Sequence, residues 1–208
     1  MNKRPAPKNA AKFEIPAPRG ILTDNYHPNG HRQEPLWIRD KSLFTRHMPV
    51  NLRSWLRDKS SLTQRLILAS DKQFHVQVVR QTMGKPFLGE AQLLGTKPHQ
   101  QALIREVILF GKGQPWVYAR SILPVSSLKG RLKRLRKLDE RPLGALLFSD
   151  PSMRRGPLEF AALQAAQITI PAELAIFDTL LWARRSVFYV ADKPLLVNEV
   201  FLPTFTPL

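Results

Sequence analysis

The stretch Leu103-Ile104-Arg105-Glu106-Val107-Ile108-Leu109-Phe110, the link Gly111-Lys112-Gly113-Gln114 and the return Pro115 to Leu123 constrain this chain more than any other part of it. Two runs rich in β-branched and aromatic residues around a short glycine-containing loop predict an antiparallel hairpin. A second hairpin is predicted near the end, from Trp182 to Val190, through the turn Ala191-Asp192-Lys193-Pro194, to Leu195 to Leu202. Helical blocks lie before and between the hairpins without strand–helix–strand alternation. The fold class expected is therefore α+β, a single domain built on an antiparallel β-sheet with helices packed on it.

Among those blocks, Pro49 to Ser70 reads as two short helices. Leu52, Trp55 and Leu56 recur at helical spacing, and Ser60-Ser61-Leu62-Thr63 offers a fresh N-cap. From Gln73 the period changes to two, with Phe74, Val76 and Val78 alternating as in a strand. Met83 to Pro98 contains Gly84, Gly89 and Gly95 and is expected to be irregular, with at most a short strand. Lys129 to Leu138 reads as an amphipathic basic helix. Leu128, Leu132, Leu135 and Leu138 line one side, and Lys129, Arg131, Lys133, Arg134, Arg136, Lys137 and Arg141 supply the charge. Residues 1–36 are rich in proline and basic residues and are expected to be a mobile extension, leaving 37–208 as the folded domain.

Composition narrows the chemistry. The 208 residues include no cysteine, which removes disulfides, thiolate metal sites and a cysteine nucleophile. The five histidines are scattered and form no credible cluster, and no Gly-rich phosphate loop is present. A formal charge of +16 points to an anionic partner: nucleic acid, an acidic membrane surface or a carboxylate metabolite. No apolar run approaches the roughly 20 residues of a membrane-spanning helix. The basic N-terminus lacks an apolar segment behind it, so secretory export is not expected and the cytoplasm is the expected location.

Two charges stand in places suited to apolar residues. Alternation puts Leu103, Arg105, Val107 and Leu109 on one face of the first hairpin, and Leu195, Val197, Glu199 and Phe201 on one face of the last strand. Burying either ion alone is costly, so each requires a partner or a polar ligand. One solution is a structural ion pair between Arg105 and Glu199, or a row that faces solvent. The other is a pocket with a guanidinium at one end and a carboxylate at the other, suited to a small molecule carrying a carboxylate and a hydroxyl.

At these residues the sequence resembles the chorismate pyruvate-lyase family. The segments that carry the resemblance are Arg105-Glu106-Val107-Ile108-Leu109, Gly113-Gln114-Pro115-Trp116, Arg120 with Leu123-Pro124-Val125-Ser126, Pro142-Leu143-Gly144 with Leu147-Phe148, Trp182-Ala183-Arg184-Arg185-Ser186, and Lys193 through Pro203. It implies a chorismate lyase-like fold with helical flaps over a buried pocket. It also implies a cofactor-free lyase that converts chorismate to 4-hydroxybenzoate and pyruvate, the first committed step of ubiquinone biosynthesis.

Carried over by position, the family's substrate-carboxylate arginine falls on Arg105 and its hydroxyl-facing carboxylate on Glu199. Two carboxylate-binding backbone amides fall on Leu143 and, in the early helical flap, Leu62. Asn198 stands where the family often has threonine. For the second carboxylate of chorismate the candidates are Arg120, Arg184 and Arg185; the last two are adjacent in a strand, so at most one looks inward. The product keeps both recognised groups, so its release beneath the flap is an expected slow step.

A monomer that binds no nucleic acid is the expected state, with weak contact to an anionic membrane through the basic helix as an additional expectation. The alternative from another class is a non-catalytic, effector-binding regulatory domain of the same fold. Such regulators carry a separate DNA-binding domain, and about 35 proline-rich residues are too few for one.

Overall fold

The computed structural model describes residues 34–39, 47–164 and 180–207. The expected extension over residues 1–36 lies outside the described residues except for its last three positions. In chain order the elements are α1 (Val50–Arg57), α2 (Leu62–Ala69), β1 (Phe74–Gly84), α3 (Leu88–Leu94), β2 (Ala102–Gly111), β3 (Gln114–Pro124), a 3-10 helix (Gly130–Lys137), α4 (Leu143–Phe148), β4 (Arg154–Arg155), β5 (Glu159–Leu163), β6 (Leu181–Val190) and β7 (Lys193–Phe201). No helix among the described residues is long and apolar enough to cross a membrane.

Every strand pairing is antiparallel, and the order is β1-β2-β3-β7-β6. The far side of β6 is shared: β5 pairs with Leu181–Arg185, and β4 with Phe188 and Tyr189. Both hairpins close on two residues with positive φ, Lys112 and Gly113 (53° and 74°) and Ala191 and Asp192 (47° and 60°). That geometry matches the twist of the flanking strands. The second turn is therefore shorter than expected, because Lys193 and Pro194 already belong to β7.

All ten residues of β2 are buried, so the sheet is covered on both faces. On one face, α1 and α2 bring Trp55, Leu56, Leu62 and Leu66 onto Val107, Leu109 and Phe201. Beside them the 3-10 helix and α4 bring Leu132, Leu135, Leu143 and Leu147 onto Leu103, Leu123 and Leu195. The opposite face is covered by smaller clusters that include Trp37 and Leu94.

The basic run thus winds as a 3-10 helix, with Leu128, Leu132, Leu135 and Leu138 buried and the charges outward. Each such leucine contributes about 1.5–3 kcal/mol relative to an exposed one.

The stretch expected to be irregular is ordered. Strand β1 runs to Gly84, and α3 follows immediately after Phe87. The Glu90 carboxylate accepts from Phe87 N at 3.0 Å, which caps the helix start, and Gly95 ends the helix with φ of 65°. Glu90 also pairs with buried Arg120, and that distant partner accounts for a helix in a glycine-rich stretch.

Candidate functional site

A cavity lies between the two clusters on the helix-covered face and holds about 540 Å³ of atom-free space, part of it open to solvent. Its floor is written in the strand register. One cross-strand row reads Val107, Ala119, Glu199, Arg184; the next reads Arg105, Ser121, Val197, Ser186. The small side chains Ala119 and Ser121 on the central strand leave room above the sheet, while Arg105 and Glu199 stand at diagonal corners. Two strand spacings and two residues along the strand separate their Cα atoms by about 12 Å. Leu62, Thr63, Leu143 and Gly144 close the cavity from above.

Arg105 is 1% exposed. Its Nη2 donates to the carbonyls of Asp139 (2.6 Å) and Arg141 (3.2 Å), which steady the loop before α4. Its Nε is buried without a hydrogen-bond partner, and no carboxylate pairs with it among the described residues. Burial holds this guanidinium below its ordinary pKa. A buried cation with an unused donor at a cavity wall is a seat for an anion.

Glu199 does not pair with Arg105. Its Oε2 accepts from Arg184 Nε at 2.6 Å, because strand order places Arg184 directly opposite it while β3 separates it from β2. Arg184 is 0% exposed, and its Nη1 donates to the carbonyls of Trp55 and Asp58, both at 2.6 Å, at the end of α1. The Glu199 side chain is 14% exposed. Oε1 accepts no hydrogen bond from the described residues, which gives it the capacity to accept one more donor.

Leu62 and Leu143 are the first residues of α2 and α4, following Ser61 and Pro142. Amides in a first helical turn have no intrahelical acceptor, so both residue positions bring free donors to the cavity rim. Close approach of the two helices depends on Gly144, where a Cβ would lie 2.7 Å from Thr63 Oγ1. All four residues expected at the site, Arg105, Glu199, Leu62 and Leu143, line this one cavity.

The three candidates for a second carboxylate divide. Arg184 faces the cavity. Arg120 and Arg185 lie on the other face of the sheet, each bound to carboxylates: Arg120 to Glu90 (2.9 Å) and Glu106 (2.7 Å), Arg185 to Glu159 (2.7 Å). Burial alone would lower the Arg120 pKa, but Glu90 and Glu106 outweigh it and hold the group above its ordinary value.

Arg155 lines the cavity unforeseen. It sits in the two-residue strand β4, where no periodicity can mark it, and the only local signal is a pair of arginines before Gly156-Pro157.

The chorismate lyase family model matches residues 32–207. A probable chorismate pyruvate-lyase of Aromatoleum aromaticum is 42% identical over 169 residues, 77% of this chain and 89% of that protein. One from Azoarcus sp. is 43% identical over 76% of this chain and 86% of its own length. One from Methylococcus capsulatus is 42% identical over 73% and 94%. Among solved structures, PhnF from Mycobacterium smegmatis aligns over 71% of this chain and 65% of its own at 17% identity and a TM-score of 0.48. By the extent of the family match and the identity to these relatives, the chain belongs to the chorismate lyase family.

Proposed function

We propose that this chain is a cofactor-independent lyase that eliminates pyruvate from chorismate to give 4-hydroxybenzoate. The observation that carries the reading is one cavity holding Arg105, without a carboxylate partner among the described residues, and Glu199 at the opposite corner. In this reading Arg105, with the amides of Leu62 and Leu143, takes the ring carboxylate, and Glu199 Oε1 accepts from the hydroxyl para to it.

The reaction breaks the ether C–O bond next to the hydroxyl-bearing carbon. That carbon loses its hydrogen, the ring becomes aromatic, and the enol oxygen becomes the keto group of pyruvate, whose methyl carbon gains a hydrogen. Aromatisation supplies the driving force, so the protein contributes chiefly by orienting the substrate and excluding water. Glu199, tied to Arg184, serves as the orienting acceptor. The turn between α1 and α2 covers the site and must open for product to leave.

The test is direct: purified protein is incubated with chorismate, and pyruvate release and 4-hydroxybenzoate absorbance are followed. Stoichiometric appearance of both is expected. No turnover would overturn the proposal.

The same reading carries a cytoplasmic monomer that binds no nucleic acid and touches anionic membranes weakly through the Lys129–Arg141 face. Flotation with acidic but not neutral liposomes is the expected outcome, and equal recovery with both would remove the membrane contact.

A further inference from the structure

Four charged side chains line the cavity: Arg105, Arg155, Arg184 and Glu199. Three guanidinium groups against one carboxylate leave two net positive charges, and Glu199 is already spent on Arg184. The product 4-hydroxybenzoate, with its single carboxylate at Arg105, would leave one cation unanswered.

Arg155 is that cation. Its Nε donates to Ser186 Oγ at 3.1 Å, and its Nη1 to the carbonyls of Lys59 (3.0 Å) and Ser60 (3.3 Å) in the turn between α1 and α2. The guanidinium lies 4.9 Å over the Phe188 ring. No carboxylate forms an ion pair with it among the described residues. Burial and the neighbouring Arg184 charge pull its pKa down to about 10, against the opposing pull of Glu199 and Asp58. Neutral oxygens orient it, and like charge beside it makes an added anion favourable.

Position identifies the anion. In chorismate the enolpyruvyl ether is attached to the carbon next to the hydroxyl carbon, so its carboxylate falls at the Glu199 end of the cavity rather than the Arg105 end. Arg184 is bonded to Glu199, and Arg184 Nη2 is buried without a partner. Arg155 stands on β4 beside the β6 strand that carries Arg184, near enough to Arg184 and Glu199 for both charges to act on it. We propose that Arg155, backed by Arg184 Nη2, binds the enolpyruvyl carboxylate of the substrate and so separates the dianionic substrate from the monoanionic product. This rests on the reading of chorismate as substrate.

The test compares two ligands that differ in that carboxylate. In Arg155→Gln the KM for chorismate is expected to rise about 10- to 100-fold, the loss of one charge-assisted contact, while the inhibition constant of 4-hydroxybenzoate moves less than about threefold. Arg155→Lys keeps the charge without the fork. It is expected to show a smaller rise of about threefold to tenfold in KM with product binding unchanged, and it serves if the Gln variant does not fold.

An unchanged chorismate KM in both variants would overturn the proposal. So would equal weakening of substrate and product, which is what a role confined to holding the α1–α2 turn predicts. Failure of the underlying reading looks different: the unmodified protein then releases no pyruvate from chorismate.

Discussion

Arg184 and Glu199 face each other across the paired strands β6 and β7, joined by a 2.6 Å bond from Nε to Oε2, while Arg105, two strands away from Glu199, forms no ion pair with a carboxylate among the described residues. The two charges placed by alternation on one face of the sheet thus have different fates. One is neutralised within the protein, and the other meets only the carbonyls of Asp139 and Arg141.

Arg105→Met should separate binding from stability. Chorismate kcat/KM is expected to fall at least about 100-fold, because a bidentate charge-assisted contact is lost. Removing an unpaired buried charge offsets the two lost loop bonds, so the melting temperature is expected to move by no more than about 4 °C. Steady-state pyruvate release and thermal unfolding check both outcomes.

Glu199→Ala and Glu199→Gln should differ in stability more than in activity. The Ala variant strips the counter-charge from a fully buried Arg184 and is expected to lose about 3 kcal/mol in urea unfolding. The Gln variant still accepts from Arg184 Nε and is expected to lose about half of that. Both should lose at least about tenfold in kcat/KM, and wild-type turnover in both would remove Glu199 from the site.

Gly144→Ala should act through Thr63. The new Cβ meets Thr63 Oγ1 at 2.7 Å, which forces α2 and α4 apart at the cavity rim. A loss of about 1 kcal/mol and a raised chorismate KM are expected. Adding Thr63→Ala should restore most of both, a coupling that a double-mutant cycle reads directly.

Acid stability should track Glu159 and Asp58. Burial pushes the Glu159 carboxyl up, but hydrogen bonds from Arg39 and Arg185 outweigh it and hold the group below its ordinary 4.5. Asp58, in the turn over the cavity, is likewise pushed up by burial and pulled below 3.8 by Ser60 and Arg65. A depressed folded-state value means that each carboxylate's contribution is full above its unfolded value and lost as pH falls through the folded one. Urea unfolding between pH 7 and pH 2.5 should show stability falling below about pH 4.5, and Glu159→Gln should make that acid limb shallower. An unaltered limb would contradict the role assigned to Glu159.

Alternation along a strand is a local property, and for that reason the face shared by Arg105, Val107 and Leu109, and the face shared by Val197, Glu199 and Phe201, were legible in the chain alone. So were the two hairpins, the helix pair over residues 50–69 and the leucine stripe of the basic run. Local pattern could not say which strands would be neighbours. The order β2-β3-β7-β6 decides that Glu199 meets Arg184 rather than Arg105, and long-range packing on the opposite face brings Glu90, Glu106 and Glu159 to Arg120 and Arg185.

The helix over Leu88–Leu94 and the arrival of Arg155 at the cavity share that origin. Each depends on a contact far away in the chain, Glu90 with Arg120 and Arg155 with the Lys59 and Ser60 carbonyls. Periodicity reports which side of an element a residue occupies. The partner on that side is set by long-range packing, because a buried charge settles where tertiary contacts supply its counter-charge or its ligand.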